Sequence, residues 1–412
     1  MDDFSIRGRC AINTNRDADT FVGVECNSGE YNIHFPLGFH LSENDKDIRR
    51  DILLLMNTIR CTTKKKESEI DGKGYKYDYV EFPFQAYLSV IYDFYERGYY
   101  REREVMYVQS KRGKIDWNRT IKTQKATFQE GEAFYLDFIT KKNTINENEL
   151  ISLVHEYLVY DSFRKIGWLF TDKLPQVPRI KYNYKLFKTT IIEKLCHTYN
   201  DKNKNLFKSL LAIIEYCGDE NTSPDYKYGT YRFEYVWEQM IDNVFGIKNK
   251  EEYFPSTKWR LNTEYENVCL EPDTIMTINN KIYILDAKYY KYGQTKFPSD
   301  LPGSASINKQ ITYGEYVAEN DKISKMHGVN RKVYNAFVMP FDSMSDMWKD
   351  SKSCISIGDA ISDWKSGDNI YEHIQGILLD IKGLMQMNSN DDEDYKLMMA
   401  KCIEISAICN YT

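Results

Sequence analysis

The chain has 412 residues, a formal net charge of −6 and an apolar fraction of 42%, so it has enough apolar sequence for two or three domains. This composition excludes a disordered protein, and the longest apolar runs, such as 52–56, are too short to span a membrane. The acidic N-terminus lacks the features of a signal peptide, and the nine dispersed cysteines show no zinc spacing, so we expect a cytoplasmic protein with reduced thiols.

The first part of the chain predicts a mixed strand and helix region over 1–220. Two strands are expected over 20–26 and 31–35, around an Asn-Ser-Gly turn. The apolar spacing that follows predicts helices over 44–60, 82–97, 149–168 and 186–216. The polar segment 217–229 contains glycine, serine and proline, so we place a domain boundary there.

The second predicted domain covers 225–412 and alternates helices with strands. Strands 268–278 and 281–289 flank an Asn279-Asn280 turn, which would pair them in antiparallel fashion. Around them we expect a helix over 231–245, a helix over 307–319, a strand over 333–339 and a helix over 370–387. The pattern predicts an α/β (α+β mixed) fold.

Three charged residues converge in this hairpin. Asp286 and Lys288 are two residues apart in one strand, so their side chains point to the same face. Asp273 begins the preceding strand, and antiparallel pairing would bring it beside Asp286. A structural ion pair would also explain Asp286 and Lys288, but it does not account for Asp273.

Two carboxylates and an ammonium group suit phosphodiester cleavage. Mg²⁺ is commonly held by one or two carboxylates and water, so we expect Asp273 and Asp286 to hold this ion. The metal would polarise the phosphate, and the Lys288 charge would stabilise the transition state. The preceding helix offers a third acid, Glu234 or Glu238, and spacing alone does not choose between them.

Two further segments carry candidate DNA contacts. Lys309 and Gln310 lie near the start of a predicted helix, where they would reach a phosphate, although an ordinary amphipathic helix has the same spacing. Residues 97–125 contain nine basic and three acidic side chains, with tyrosines and a tryptophan between them. We assign Lys111, Arg112 and Lys114 to DNA binding, with a solvated surface or a partner interface as the alternatives.

The motif Pro272-Asp273 followed by Asp286-Ala287-Lys288 resembles the core of the PD-(D/E)xK nuclease superfamily. More narrowly, the chain resembles the LlaJI-type restriction endonucleases and the McrC-like nuclease subunits. Val236-Trp237-Glu238 is similar to the helix glutamate of the family, which favours Glu238 as the third catalytic residue. Weaker likeness extends to the segments 21–39 and 111–116.

The resemblance implies a restriction-endonuclease-like core and Mg²⁺-dependent cleavage of double-stranded DNA in an antiviral restriction system. It also implies a separate McrB-like AAA+ GTPase as partner, since this sequence contains no GxxxxGK[ST] loop. Cutting both strands would favour a homodimer. A stand-alone endonuclease that reads its own site, a catalytically silent DNA-binding or assembly subunit, and a nuclease acting on RNA are the alternatives.

Overall fold

The computed structural model describes residues 5–15, 20–67, 82–146, 148–219, 225–328, 331–348, 352–387 and 393–409. The acidic residues 1–4, and residues 220–224 of the predicted boundary segment, lie outside the described residues. Within the described part of the chain, no helix combines the length and the apolar character needed to cross a bilayer.

The strands of the described residues, numbered in chain order, are β1 Cys10–Ile12, β2 Val22–Asn27, β3 Glu30–Phe35, β4 Glu102–Gln109, β5 Lys114–Ile115, β6 Ala126–Gln129, β7 Glu132–Tyr135, β8 Ile139–Asn146, β9 Tyr226–Thr230, β10 Lys258–Arg260, β11 Glu264–Glu266, β12 Thr274–Ile278, β13 Lys281–Ala287, β14 Lys332–Phe341, β15 Cys354–Ala360 and β16 Ile374–Asp380.

The α-helices of the described residues are α1 Asp45–Glu67, α2 Phe84–Arg97, α3 Trp117–Thr123, α4 Leu150–Ile166, α5 Tyr184–His197, α6 Asp201–Cys217, α7 Phe233–Phe245, α8 Tyr292–Thr295, α9 Ser304–Glu319, α10 Asp321–His327, α11 Ile381–Met387 and α12 Glu393–Cys409.

The chain divides into two compact units. The first combines Met1–Val80 with Lys227–Thr412, and the second comprises Glu81–Tyr226. Apart from residues 225 and 226, the predicted domain 225–412 lies in the first unit, but the N-terminal segment lies there too. Two contacts show why: Leu37 N–H donates to the Tyr289 hydroxyl at 2.6 Å, and Lys382 pairs with Asp51 at 2.8 Å.

The first unit is built on a five-stranded sheet in the order β12-β13-β14-β16-β15. The three inner strands are parallel and both edge strands are antiparallel. Side chains alternate along β13, so Ile284 packs with Tyr313 of α9 on one face, whereas Tyr283 donates to Glu404 of α12 on the other. Helix α7 lies on the α12 side, where Phe245 stacks on Tyr395.

A smaller sheet of the first unit has the order β1-β3-β2-β9. It contains the predicted hairpin, which is confirmed as the antiparallel pair β2 and β3. Strands β2 and β9 approach so closely at Gly23 that an added Cβ atom there would lie 2.2 Å from the carbonyl oxygen of Tyr228. Glycine also fits the φ angle of 149° at Gly23, which other residues rarely adopt.

The second unit packs helices α2, α4, α5 and α6 around apolar side chains and carries the three-stranded sheet β4-β8-β5. Its interior contains a buried ion pair between Lys165 and Asp161, at 3.3 Å. The buried His155 accepts a hydrogen bond from Tyr100 N–H through Nδ1 at 3.0 Å. Burial lowers the pKa of His155 to about 3, so its ring is neutral.

Three predicted elements require correction. The helix predicted over 370–387 is wrong: a short 3-10 turn precedes strand β16, and only Ile381–Met387 is α-helical. The predicted strand 268–278 begins only at Thr274: residues 268–273 are irregular and follow the separate β10-β11 ribbon, which ends at Glu266. The helical segment 186–216 is interrupted at Asn200, whose side chain caps α6 by accepting from Asn203 N–H.

Candidate active site

The turn between β12 and β13 brings the two predicted carboxylates together. Asn279 and Asn280 have φ angles of 46° and 62°, the left-handed conformation required at both central positions of a type I′ hairpin turn. The register pairs Thr274 with Leu285, so Asp273, one residue earlier, lies beside Asp286. The tight turn therefore places two acidic residues at the same end of the hairpin.

Asp273 is fixed by contacts on its carboxylate and on its backbone. Its Oδ2 atom accepts from Ala287 N–H at 2.8 Å, and its carbonyl oxygen accepts from Lys250 Nζ at 2.7 Å. Burial, followed by the negative charges of Asp286 and Glu238, raises the pKa of Asp273 to about 7. Three carboxylates therefore lie close enough to repel one another.

Asp286 and Lys288 form the ion pair that strand alternation predicts. The Asp286 Oδ2 and Lys288 Nζ atoms are 2.5 Å apart, and Asp286 is 5% exposed. Lys288 extends the pairing with β14, since its N–H donates to the Val338 carbonyl at 2.9 Å. Burial acts to lower the pKa of Lys288, but the adjacent Asp286 carboxylate outweighs it and raises that pKa. The ammonium group is therefore charged at neutral pH.

The structure distinguishes the two candidate glutamates of α7. Glu238 lines a cleft of about 480 Å³ together with Asp273. Glu234 instead forms an ion pair with Arg232. Glu238 is thus the helix glutamate that shares the cleft with Asp273, and its charge contributes to the raised pKa of Asp273.

Lys309 is exposed and lies near the same carboxylates. Its Nζ atom is 5.4 Å from the centroid of the Tyr313 ring. Burial acts to lower the pKa of Lys309, but a hydrogen bond to Tyr313 and the charges of Asp286 and Asp273 raise it. The Tyr313 hydroxyl in turn donates to the carbonyl oxygen of Glu271 at 3.1 Å. Lys309 is therefore a second cation at this end of the hairpin.

Gln310 does not share this position. It is 1% exposed, and its Nε2 atom donates to the Ile284 carbonyl at 2.8 Å and to Asn335 Oδ1 at 3.4 Å. The helix also begins at Ser304, so Gln310 lies beyond its first turn. A direct phosphate contact by Gln310 does not agree with this burial. Its amide ties α9 to the sheet.

The predicted basic segment lies in the second unit. Lys111, Arg112 and Lys114 are exposed at or before strand β5, which pairs with β8. Nearby, the Arg119 guanidinium lies 3.7 Å from the centroid of the Tyr107 ring. Accessible cations beside aromatic rings meet a basic requirement for a nucleic-acid contact.

Asp242 and Lys250 were missed in the sequence although they line the cleft with Glu238 and Asp273. Asp242 lies four residues after Glu238, so helical spacing would have placed both acids on one face. Lys250 follows the helix in a 3-10 turn, and no spacing rule links it to Asp273.

The donor set fits a hard divalent cation. Asp273 and Asp286 each use one oxygen, Oδ2, in the contacts given above, and carboxylate oxygens are preferred ligands of Mg²⁺. A cation would also offset the burial and the carboxylate repulsion that together raise the pKa of Asp273. Among the described residues, no group of three or more His, Cys, Asp and Glu side chains is arranged to hold a metal, so water would complete the coordination.

The mixed α/β sheet is that of a restriction-endonuclease-like fold, and two carboxylates and a lysine lie together at one end of its β12-β13 hairpin. The family model of the LlaJI restriction endonuclease matches residues 21–354. The chain therefore belongs to the LlaJI restriction endonuclease family, and it is a nuclease of a restriction system.

Comparison with solved structures finds a likeness to a half-complex from a tetradecameric assembly of Thermococcus gammatolerans McrB AAA+ hexamers with bound McrC. The likeness covers 90% of this chain and 82% of that chain, at 12% identity and a TM-score of 0.33. Similarity at this level carries no argument about mechanism. No curated protein matches the chain.

Proposed function

We propose that the chain is the Mg²⁺-dependent DNA-cleaving subunit of its restriction system. The observation that carries the proposal is the convergence of Asp273, Asp286 and Lys288 at one end of the β12-β13 hairpin. Asp286 lies in β13, and Asp273 immediately precedes the adjacent strand β12 of the same buried sheet. The site is thus built on rigid elements, as precise positioning requires.

Asp273 and Asp286 are the residues that would hold Mg²⁺. When bound, the ion supplies a Lewis acid for the phosphate and lowers the pKa of a coordinated water. Lys288 is held charged by Asp286 and so stabilises negative charge that develops on the phosphate. Glu238 faces the same cleft and extends the acidic face toward α7.

Double-stranded DNA is the proposed substrate. Lys309 is exposed beside the carboxylates, where its charge contacts a phosphate next to the scissile one. Lys111, Arg112 and Lys114 provide a second cationic surface in the other unit. Such contacts act through counterion release, so binding weakens steeply as salt rises.

A separate AAA+ GTPase is the proposed partner. The support is the likeness of the core motif to McrC-like subunits, together with the lack of a GxxxxGK[ST] loop in the 412-residue sequence. Cleavage of both strands further favours two copies of this chain at one cut. A stand-alone endonuclease is the competing version.

Plasmid cleavage in Mg²⁺ tests the proposal, with and without a candidate AAA+ protein and GTP. We expect Asp286→Ala and Lys288→Ala to lower the cleavage rate by about 100-fold or more, because each removes charge stabilisation at the phosphate. The matched controls are Asp321→Ala and Lys322→Ala, which change adjacent exposed residues of α10.

The outcomes separate the alternatives. Cleavage at the wild-type rate by both active-site variants would overturn the assignment of the active site. Cleavage by the wild-type chain alone would overturn dependence on a motor and support the stand-alone version. Cleavage of RNA but not of DNA, with the same metal ion, would overturn the proposal that DNA is the substrate.

A further inference from the structure

We propose that Lys250 is a positioning residue that sets the metal affinity of Asp273 from outside the coordination sphere. This inference rests on the proposed Mg²⁺-dependent function. Lys250 begins the 3-10 turn that follows α7, and its side chain reaches the start of β12. It thereby links the helix that carries Glu238 to the strand that follows Asp273.

The ammonium group of Lys250 has two acceptors. It donates to the carbonyl oxygen of Asp273 at 2.7 Å, and its Nζ atom is 3.0 Å from Asp242 Oδ2. Asp242 is shared with the strand, since Thr274 Oγ1 donates to Asp242 Oδ1 at 3.2 Å. A single carboxylate of α7 thus joins Lys250 to the residue immediately after Asp273.

A backbone hydrogen bond strengthens the same connection. Ile247 N–H donates to the carbonyl oxygen of Ile275 at 2.9 Å. Together with the Lys250 and Asp242 contacts, it attaches the C-terminal end of α7 to the first residues of β12. Because Glu238 lies one turn before Asp242 on α7, this attachment also determines how closely Glu238 approaches Asp273.

The choice of acceptor on Asp273 matters. A lysine paired with the Asp273 carboxylate would compete with a cation, whereas Lys250 donates to the backbone carbonyl. The carboxylate is held separately, by Ala287 N–H on Oδ2. Asp273 is therefore oriented by its backbone carbonyl and by one carboxylate oxygen, and Lys250 does not occupy the carboxylate where a metal would bind. Groups that orient a ligand in this way commonly tune metal affinity.

Titration of the full chain with Mg²⁺ in a calorimeter, without DNA, measures this effect directly. We expect Lys250→Met to weaken Mg²⁺ binding by about 10–100-fold, the range found when orienting partners of metal ligands are removed. Lys250→Arg retains the charge and the donors and should recover most of the affinity. Lys248→Met is the matched control, because Lys248 is an exposed lysine two residues away.

Cleavage assays over a range of Mg²⁺ concentrations give a second measurement. A positioning role shifts the half-saturating Mg²⁺ concentration of Lys250→Met upward while the rate at saturating Mg²⁺ recovers. A merely structural role lowers the rate at every Mg²⁺ concentration and lowers the melting temperature in parallel. That second pattern, or Mg²⁺ binding equal to wild type, would overturn the inference.

The failure of this inference is distinguishable from that of the proposed function. If wild-type protein binds no Mg²⁺ and cleaves no DNA, the proposed function fails. If wild type binds and cleaves while Lys250→Met and Lys248→Met behave alike, only the role of Lys250 fails.

Discussion

Lys309 and Gln310 are neighbours in α9 with opposite environments, and they offer a direct test of the site. Lys309 is exposed near Asp273 and Asp286, whereas Gln310 is buried against β13 and β14. We expect Gln310→Leu to destabilise the first unit and Lys309→Ala to weaken DNA binding. Each substitution should leave the other property largely unchanged.

The magnitude for Gln310→Leu follows from its two hydrogen bonds. The substitution removes the 2.8 Å bond to the Ile284 carbonyl and the 3.4 Å bond to Asn335. A buried hydrogen bond contributes about 1 kcal/mol, and a buried acceptor left without a donor costs about 1–3 kcal/mol. The free energy of unfolding should therefore fall by about 2–4 kcal/mol.

Lys309→Ala should change the free energy of unfolding by less than about 0.5 kcal/mol, as for most exposed sites. Loss of one phosphate contact should lower the slope of log K against log salt by about 1. Urea denaturation measures the first quantity, and fluorescence anisotropy with duplex DNA at several salt concentrations measures the second.

Two results would refute this reasoning. If Gln310→Leu unfolds at the wild-type urea concentration, its amide does not hold α9 on the sheet. If Lys309→Ala keeps the full salt slope, the Lys309 ammonium does not contact a phosphate.

Three further substitutions test the scaffold. In the wild type, the free energy of unfolding should fall by about 2 kcal/mol between pH 6.5 and 5, because the buried His155 stays neutral while the imidazole of the unfolded chain binds a proton. His155→Asn should remove most of this fall, which urea unfolding at both pH values measures. Gly23→Ala should destabilise by about 1–3 kcal/mol in thermal unfolding, since its new methyl would meet the Tyr228 carbonyl. Lys382→Met should cost roughly 3 kcal/mol in urea unfolding, because the buried Asp51 carboxylate loses its cation, and adding Asp51→Asn should restore much of that stability; a double variant no more stable than Lys382→Met would contradict the pairing.

The placement of the candidate catalytic residues at one end of the hairpin could be predicted, because it depends on residues that are close together in the sequence. Strand alternation alone places Asp286 and Lys288 on one face, and it needs no knowledge of the rest of the fold. The Asn279-Asn280 turn is a short connection of known geometry, and it fixes the strand register that places Asp273 opposite Asp286. Each step spans only a few residues, so each could be made from sequence.

The strand β16 was not predicted, because local sequence patterns do not distinguish it from a helix. Its residues 374–380 are almost all buried, because β14 and β15 pair with both of its edges and helices cover the sheet. A strand buried on both faces has no alternation, so its apolar run resembles a buried helix. Only the pairing partners, which lie far away in the sequence, distinguish the two.

The residues that orient the site also depend on contacts between distant parts of the sequence, which explains why they were not predicted. Asp242 was within reach through its spacing to Glu238, but Lys250 meets Asp273 across 23 residues that include a separate ribbon. Every residue has a backbone carbonyl group, so the identity of the acceptor residue does not indicate that a lysine contacts it. Groups that perform chemistry therefore show in a sequence through their side chains, whereas the groups that orient them become visible only in the fold.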